Sequence, residues 1–264
     1  MLQKRYEGFL ATPYLLKKES VPNLIPITIP SNSKSISIAI DETLRLGKYV
    51  ERLVSFELKQ HQNISIIAEN VQIQNEKTTL GELDCLLLME NKPLHLEIIY
   101  KFYLYDASVG NTEIQHFIGP NKKDSLIEKL NKLKEKQLPL LHSLVCKKHL
   151  DTLNINQNEI SQFIYFKAQL FLPFSNQNVK LKTLNNQCVT GFYINQEELK
   201  QLSRCKFYIP KKKDWLMLPH THVNWISYNN FKPKAEAYFK EKFSPLLWVK
   251  SKTGAIKKVF LVWW

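Results

Sequence analysis

The sequence predicts an α/β fold, a mixed central sheet flanked by helices, and three observations carry that prediction. Residues 42–59 place Leu44, Leu46, Val50, Leu53, Val54 and Leu58 at helical spacing. Three consecutive stretches, 63–74, 79–89 and 94–105, read as strands separated by short breaks. A second amphipathic helix follows over 126–136, opened by the capping-box spacing of Ser125 and Glu128.

Taken in order, Pro22, Pro26 and Pro30 punctuate a stretch that reads as an extended, exposed N-terminal segment, 1–40. Asp41 is placed to cap the first helix. Leu86, Leu87 and Leu88 mark 79–89 as a buried strand, and Asn91-Lys92-Pro93 supplies the turn into 94–105. Pro139 interrupts the second helix near Gln137, because its ring removes a backbone donor. Strands around 163–172 and 189–194 follow, then a helix capped by Asn195 and running through Leu202. The expected organisation is therefore the N-terminal segment, a core over 41–155, and a basic, Trp-rich α+β region over 156–264 packed on that core.

Composition narrows the function. At 44% hydrophobic and 23% charged residues the chain has the make-up of a folded protein. The closest two of its 7 glycines, Gly110 and Gly119, are too far apart for G-x-G-x-x-G or P-loop spacing, which removes those nucleotide cradles. Apolar runs such as that within 83–89 fall far short of the ~20 residues that cross a bilayer, and Lys4, Arg5 and Glu7 interrupt the first ten residues. Cys85, Cys146, Cys188 and Cys205 are widely spaced and read as free thiols, so the expectation is a cytoplasmic protein without membrane association.

The net charge is +13, and it is uneven. Residues 201–264 hold 13 basic and 3 acidic side chains together with all 5 tryptophans. Lysines interleaved with aromatics suit a polyanion that also offers flat rings, such as single-stranded or distorted nucleic acid. The same pattern also describes a local aromatic core with lysines solvating it. Arginine, the usual reader of guanine edges, is scarce, so base-specific readout is not expected. Lys211, Lys212 and Lys213 form the densest run and are the candidate phosphate contacts.

Two strands concentrate titratable groups that a buried strand normally avoids. Glu82 and Asp84 share one face of 79–89. His95, Glu97 and Lys101 differ by even numbers and share one face of 94–105. If the short connection pairs these strands antiparallel, Asp84 and Glu97 converge at one sheet edge. Two carboxylates held that closely repel unless a cation lies between them, and hard oxygen donors favour Mg2+ or Mn2+. An ammonium beside such a metal can orient water and neutralise charge developing on phosphorus. On strand spacing alone, plain cross-strand ion pairs explain the same residues.

Gly81-x-x-Asp84 on one strand with Glu97 and Lys101 on the next resembles the PD-(D/E)XK superfamily, the restriction-endonuclease-like nucleases. The helix containing Glu51 is similar to that fold's first helix, and the one ending at Gln137 is similar to the glutamine-bearing helix of RecB-like members. The resemblance implies a restriction-endonuclease-like core. It further implies Asp84 and Glu97 as metal ligands, Lys101 as catalytic lysine, Glu51 as auxiliary ligand and Gln137 as a supporting residue. The superfamily usually has Glu-x-Lys, whereas Lys101 lies four residues after Glu97, about 7 Å further along the strand than expected. Gly119-Pro120-Asn121, Asp124, Gly191-Phe192-Tyr193 and Asp214-Trp215-Leu216 extend the likeness to a bacterial family of that superfamily that shares the longer gap. The implied activity is a metal-dependent phosphodiesterase acting on DNA or RNA. The alternatives are a non-catalytic nucleic-acid-binding protein on the same fold, or a protein-interaction module using its basic C-terminal region.

Overall fold

Period-two alternation and β-branched residues favour a pleated, half-buried surface, and they produce three long neighbouring strands. In the computed structural model, which describes residues 1–264, these are β1 (Ile64–Asn75), β2 (Thr78–Met89) and β3 (Lys92–Tyr105), paired antiparallel in succession. Glu90 and Asn91, both at positive φ (52° and 61°), make the tight turn between β2 and β3. Such a turn twists with the strands it joins. It therefore sits ahead of the Asn91-Lys92-Pro93 turn that the sequence predicts; Lys92 and Pro93 already pair with Met89 and Leu88.

The remaining elements are α1 (Leu2–Ala11), α2 (Leu46–Leu58), β4 (Phe117–Ile118), α3 (Leu126–Lys132), a π-helical turn over Leu133–Gln137, α4 (Leu138–Leu140) and α5 (Leu144–Thr152). They continue with β5 (Ser161–Pro173), β6 (Val189–Ile194), β7 (Lys206–Tyr208), β8 (Ile226–Ser227), α6 (Tyr228–Lys240), β9 (Leu246–Lys250) and β10 (Ile256–Leu261). The strands belong to one 10-stranded sheet, parallel at β5–β6 and β6–β10 and antiparallel at its hairpins. This is the α/β class with a mixed sheet and flanking helices that the sequence predicts. No helix is long and apolar enough to cross a membrane.

Four local predictions are corrected. The first 40 residues are not wholly extended, since Leu2–Ala11 is helical. Nor are they wholly exposed: Leu15, Leu16, Val21, Leu24 and Ile29 are buried. Asp41 does not cap α2; its carboxylate accepts from the backbone and hydroxyl of Thr43, closing a local turn. Asn195 and Glu198 do form a reciprocal capping box, but the helix they open, Glu198–Leu202, is 3-10.

The chain folds as two compact units, each discontinuous in sequence. One comprises Met1–Pro13, Lys101–Ile127 and Ala168–Trp264; the other comprises Tyr14–Tyr100 and Glu128–Lys167. In the first, a core of Phe192, Phe207, Phe231, Leu247, Val259 and Leu261 packs under α6. Its motif glycines serve close packing: a Cβ at Gly191 would lie 2.0 Å from the Lys258 carbonyl, and one at Gly119 would lie 2.0 Å from the Asp124 carboxylate. Arg5 and Asp214, 5% and 3% exposed, form a buried ion pair at 2.7 Å. In the second unit, Val71, Ile73, Leu83, Leu86, Leu141 and Leu150 form the core beneath α5.

Removing one partner of a buried ion pair leaves a desolvated charge, so Asp214→Ala is expected to cost about 3–5 kcal/mol in denaturant unfolding. A loss below about 1 kcal/mol would show that Arg5 is satisfied without this carboxylate.

Candidate active site

Glu82 and Asp84 of β2 and Glu97 of β3 come together in the second unit. The β2–β3 ladder ends at the pair Cys85–Leu96. Beyond it the Ile98 N–H turns to the Asp84 carboxylate, donating to Oδ2 at 2.9 Å. Glu82 and Asp84, two apart on β2, then meet Glu51 of α2: one carboxylate oxygen from each lies within 4.8 Å of the other two. Glu97 is near enough for its charge to raise the pKa of Asp84.

Three devices hold this acidic group. Lys48, one turn before Glu51 on α2, donates to Glu51 at 2.9 Å, to Asn70 at 2.6 Å, and to Glu82. Asn70 lies between the pairs Glu69–Cys85 and Val71–Leu83 on β1, in the left-handed conformation at φ 56°. Asparagine tolerates that conformation better than most residues, and the strain aims its side chain at the Lys48 ammonium. On the third side, the Leu138 N–H reaches back five residues to the Leu133 carbonyl, widening the helix into a π turn. That turn presents Gln137, whose Nε2 donates to Glu97 Oε2 while its Oε1 accepts from Lys129 at 2.8 Å.

Burial is the first cause of the electrostatics. It pushes Asp84 up to about 7, the charges of Glu97 and Glu51 add to the rise, and the Ile98 N–H and Lys48 oppose it. Burial likewise raises Glu51, against the pull of Lys48. Lys48, Leu80, Gly81, Glu82, Asp84, Lys132, Lys136, Gln137 and Leu140 line a cleft of about 300 Å³. Two carboxylates and three lysines thus share its lining.

The predicted set is placed as follows. Glu51, Asp84, Glu97 and Gln137 belong to this cluster. Lys101 belongs to the other unit, where its ammonium is held by Asp124 at 2.6 Å. Lys211, Lys212 and Lys213 also lie in that unit, at the start of the 3-10 turn Lys212–Leu216. Lys211 and Lys212 are exposed, and Lys212 lies over the Trp215 ring at 3.4 Å. Three further tryptophans carry a lysine in the same way: Lys122 on Trp264, Lys242 on Trp263 and Lys250 on Trp225. Lys48 and Asn70 were not singled out by the sequence. Lys48 carried one usable signal, its position three residues before Glu51 on one helix face.

Residues 28–262 match a protein family described as a domain of unknown function, DUF1853. No curated protein and no solved structure matches the chain significantly.

The raised Asp84 makes stability pH-dependent. An acid whose folded pKa lies above its unfolded value binds more protons when folded, so it favours the fold at low pH. That contribution is lost as the pH rises from about 4 to about 7. In chelator, Asp84→Asn is expected to be more stable than the parent at pH 8 by roughly 2–4 kcal/mol and equal to it near pH 4. Destabilisation of the same size at both pH values would contradict the assignment.

Proposed function

We propose that this chain, which belongs to the DUF1853 family, is a divalent-metal-dependent phosphodiesterase that cleaves nucleic acid. The observation that carries the reading is the meeting of the Glu51, Glu82 and Asp84 carboxylates near Glu97, with Glu82 and Asp84 lining a cleft together with Lys48, Lys132 and Lys136. The donors are all hard oxygens, which suits Mg2+ or Mn2+ better than zinc. Two features fit such an ion. Burial, with the charges of Glu97 and Glu51 added to it, keeps the proton on Asp84 up to about 7. Glu97 Oε1, wholly buried, has no donor completing a hydrogen bond to it.

Asp84 and Glu97 would hold the metal, with Glu51 as auxiliary ligand, as the resemblance to PD-(D/E)XK nucleases implies. When bound, the ion supplies Lewis-acid stabilisation at the phosphoryl oxygens and a more acidic water. Gln137 fixes the rotamer of Glu97 through the hydrogen bond to Oε2. Lys48 balances Glu51 and Glu82 and takes the place of the ammonium that the motif spacing gives to Lys101. Lys132 and Lys136 offset the repulsion that a carboxylate-lined cleft exerts on phosphates. The commitment of Lys101 to Asp124 favours a second reading, nucleic-acid binding without cleavage.

Calorimetry with Mn2+ and cleavage of a labelled oligonucleotide separate the two. The expected outcome is saturable Mn2+ binding that Asp84→Ala abolishes, with cleavage by the wild type. Lys48→Met is expected to lower cleavage by about 10²-fold or more, and Lys101→Met by only a few-fold. Metal binding without cleavage would favour the second reading; a larger effect at Lys101 would return the ammonium role to β3.

A further inference from the structure

Glu97 and His95 are both wholly buried and lie two apart on one face of β3. Their side chains face each other, His95 Nε2 to Glu97 Oε1, at 3.2 Å. The other ring nitrogen of His95, Nδ1, lies 3.0 Å from Gln162 Nε2. The same amide nitrogen donates to the Leu138 carbonyl at 2.9 Å.

That carbonyl decides the tautomer. A backbone oxygen only accepts, so the Gln162 atom facing it has to be the NH2 group, which fixes the amide orientation. One hydrogen of the NH2 goes to Leu138 and the other to His95, making Nδ1 an acceptor. The proton of the neutral ring therefore sits on Nε2, on the side of Glu97. The approach is off-line, so neither His95 Nε2 nor Glu97 Oε1 completes a hydrogen bond. A buried carboxylate oxygen in that condition costs free energy unless something else takes its lone pairs.

We propose that Gln162 and His95 are positioning residues that hold Glu97 Oε1 free and oriented for a hard divalent cation. The inference rests on the metal reading above. Leu138 and Gln137 are consecutive, so the segment that anchors Gln162 also presents the amide holding Glu97 Oε2. Both carboxylate oxygens are thereby approached from the junction of the π-helical turn with α4, one through Gln137 and one through Gln162 and His95. The arrangement matches the general rule that groups behind a metal ligand set its orientation.

The test uses the whole 264-residue chain, with Mn2+ as the probe. In metal-free wild type, ring 15N shifts of His95 should show Nε2 protonated and Nδ1 unprotonated. His95→Leu and His95→Asn should weaken Mn2+ binding by roughly 10–100-fold, while His95→Gln, whose amide nitrogen reaches the Nε2 position, recovers most of it. Gln162→Leu should weaken it in the same direction. Thermal melts identify the variants that fold. A role confined to packing would shift melting temperature without separating Gln from Asn. Wild-type binding with no difference between folded Gln and Asn variants would overturn the inference alone, as would a proton on Nδ1. Absence of Mn2+ binding by the wild type would overturn the metal reading and this inference with it.

Discussion

Like charges at ~5 Å in a protein environment repel by ~3 kcal/mol, and the Glu51, Glu82 and Asp84 carboxylates lie within that range of one another. Much of the local structure answers this repulsion. The β2–β3 ladder stops one pair short of Asp84, so that a backbone N–H that would otherwise serve the sheet serves a carboxylate. A strand residue, Asn70, adopts a left-handed conformation to help hold Lys48 among the acids. The helix after Ile118 loses regular spacing for one turn, and that turn delivers Gln137 to Glu97. These three departures from regular structure fall where a carboxylate of the site, or the lysine among them, gains a partner. Such concentration of strain is common at sites whose geometry is held for a ligand.

The compensation is incomplete. Asp84 still favours its protonated form up to about 7, and Glu97 Oε1 still lacks a completed bond. A stably folded unit could have replaced these groups by apolar residues at little cost. Their retention is economical under the proposed function, in which a divalent cation supplies the missing positive charge.

Much of the frame was legible in the sequence. Alternation located β1, β2 and β3 to within two residues, because each strand carries its own pattern. The shared parity of Asp84 and Glu97 on consecutive antiparallel strands is likewise a local property. What was not legible depends on tertiary placement. A lysine on an amphipathic helix looks solvated until the helix lies on a sheet, so Lys48 gave little sign of joining Glu82. Lys101 has the right parity, but Asp124 reaches it from a loop held by the Gly119 turn. Several motifs outside the hairpin serve packing: Gly191 admits a neighbouring strand, and Asp214 neutralises Arg5. Within the last 64 residues, Lys212, Lys242 and Lys250 lie over the rings of Trp215, Trp263 and Trp225, contacts that no local pattern announces.

The most direct measurement is a crystal structure grown with Mn2+, with an anomalous difference map at the manganese edge. The proposed site predicts a peak within about 2.0–2.6 Å of carboxylate oxygens from both Asp84 and Glu97. It also predicts that the Lys48 ammonium moves away from Glu82. A map without a peak there, and with Lys48 still bridging Glu51 and Glu82, would contradict the account.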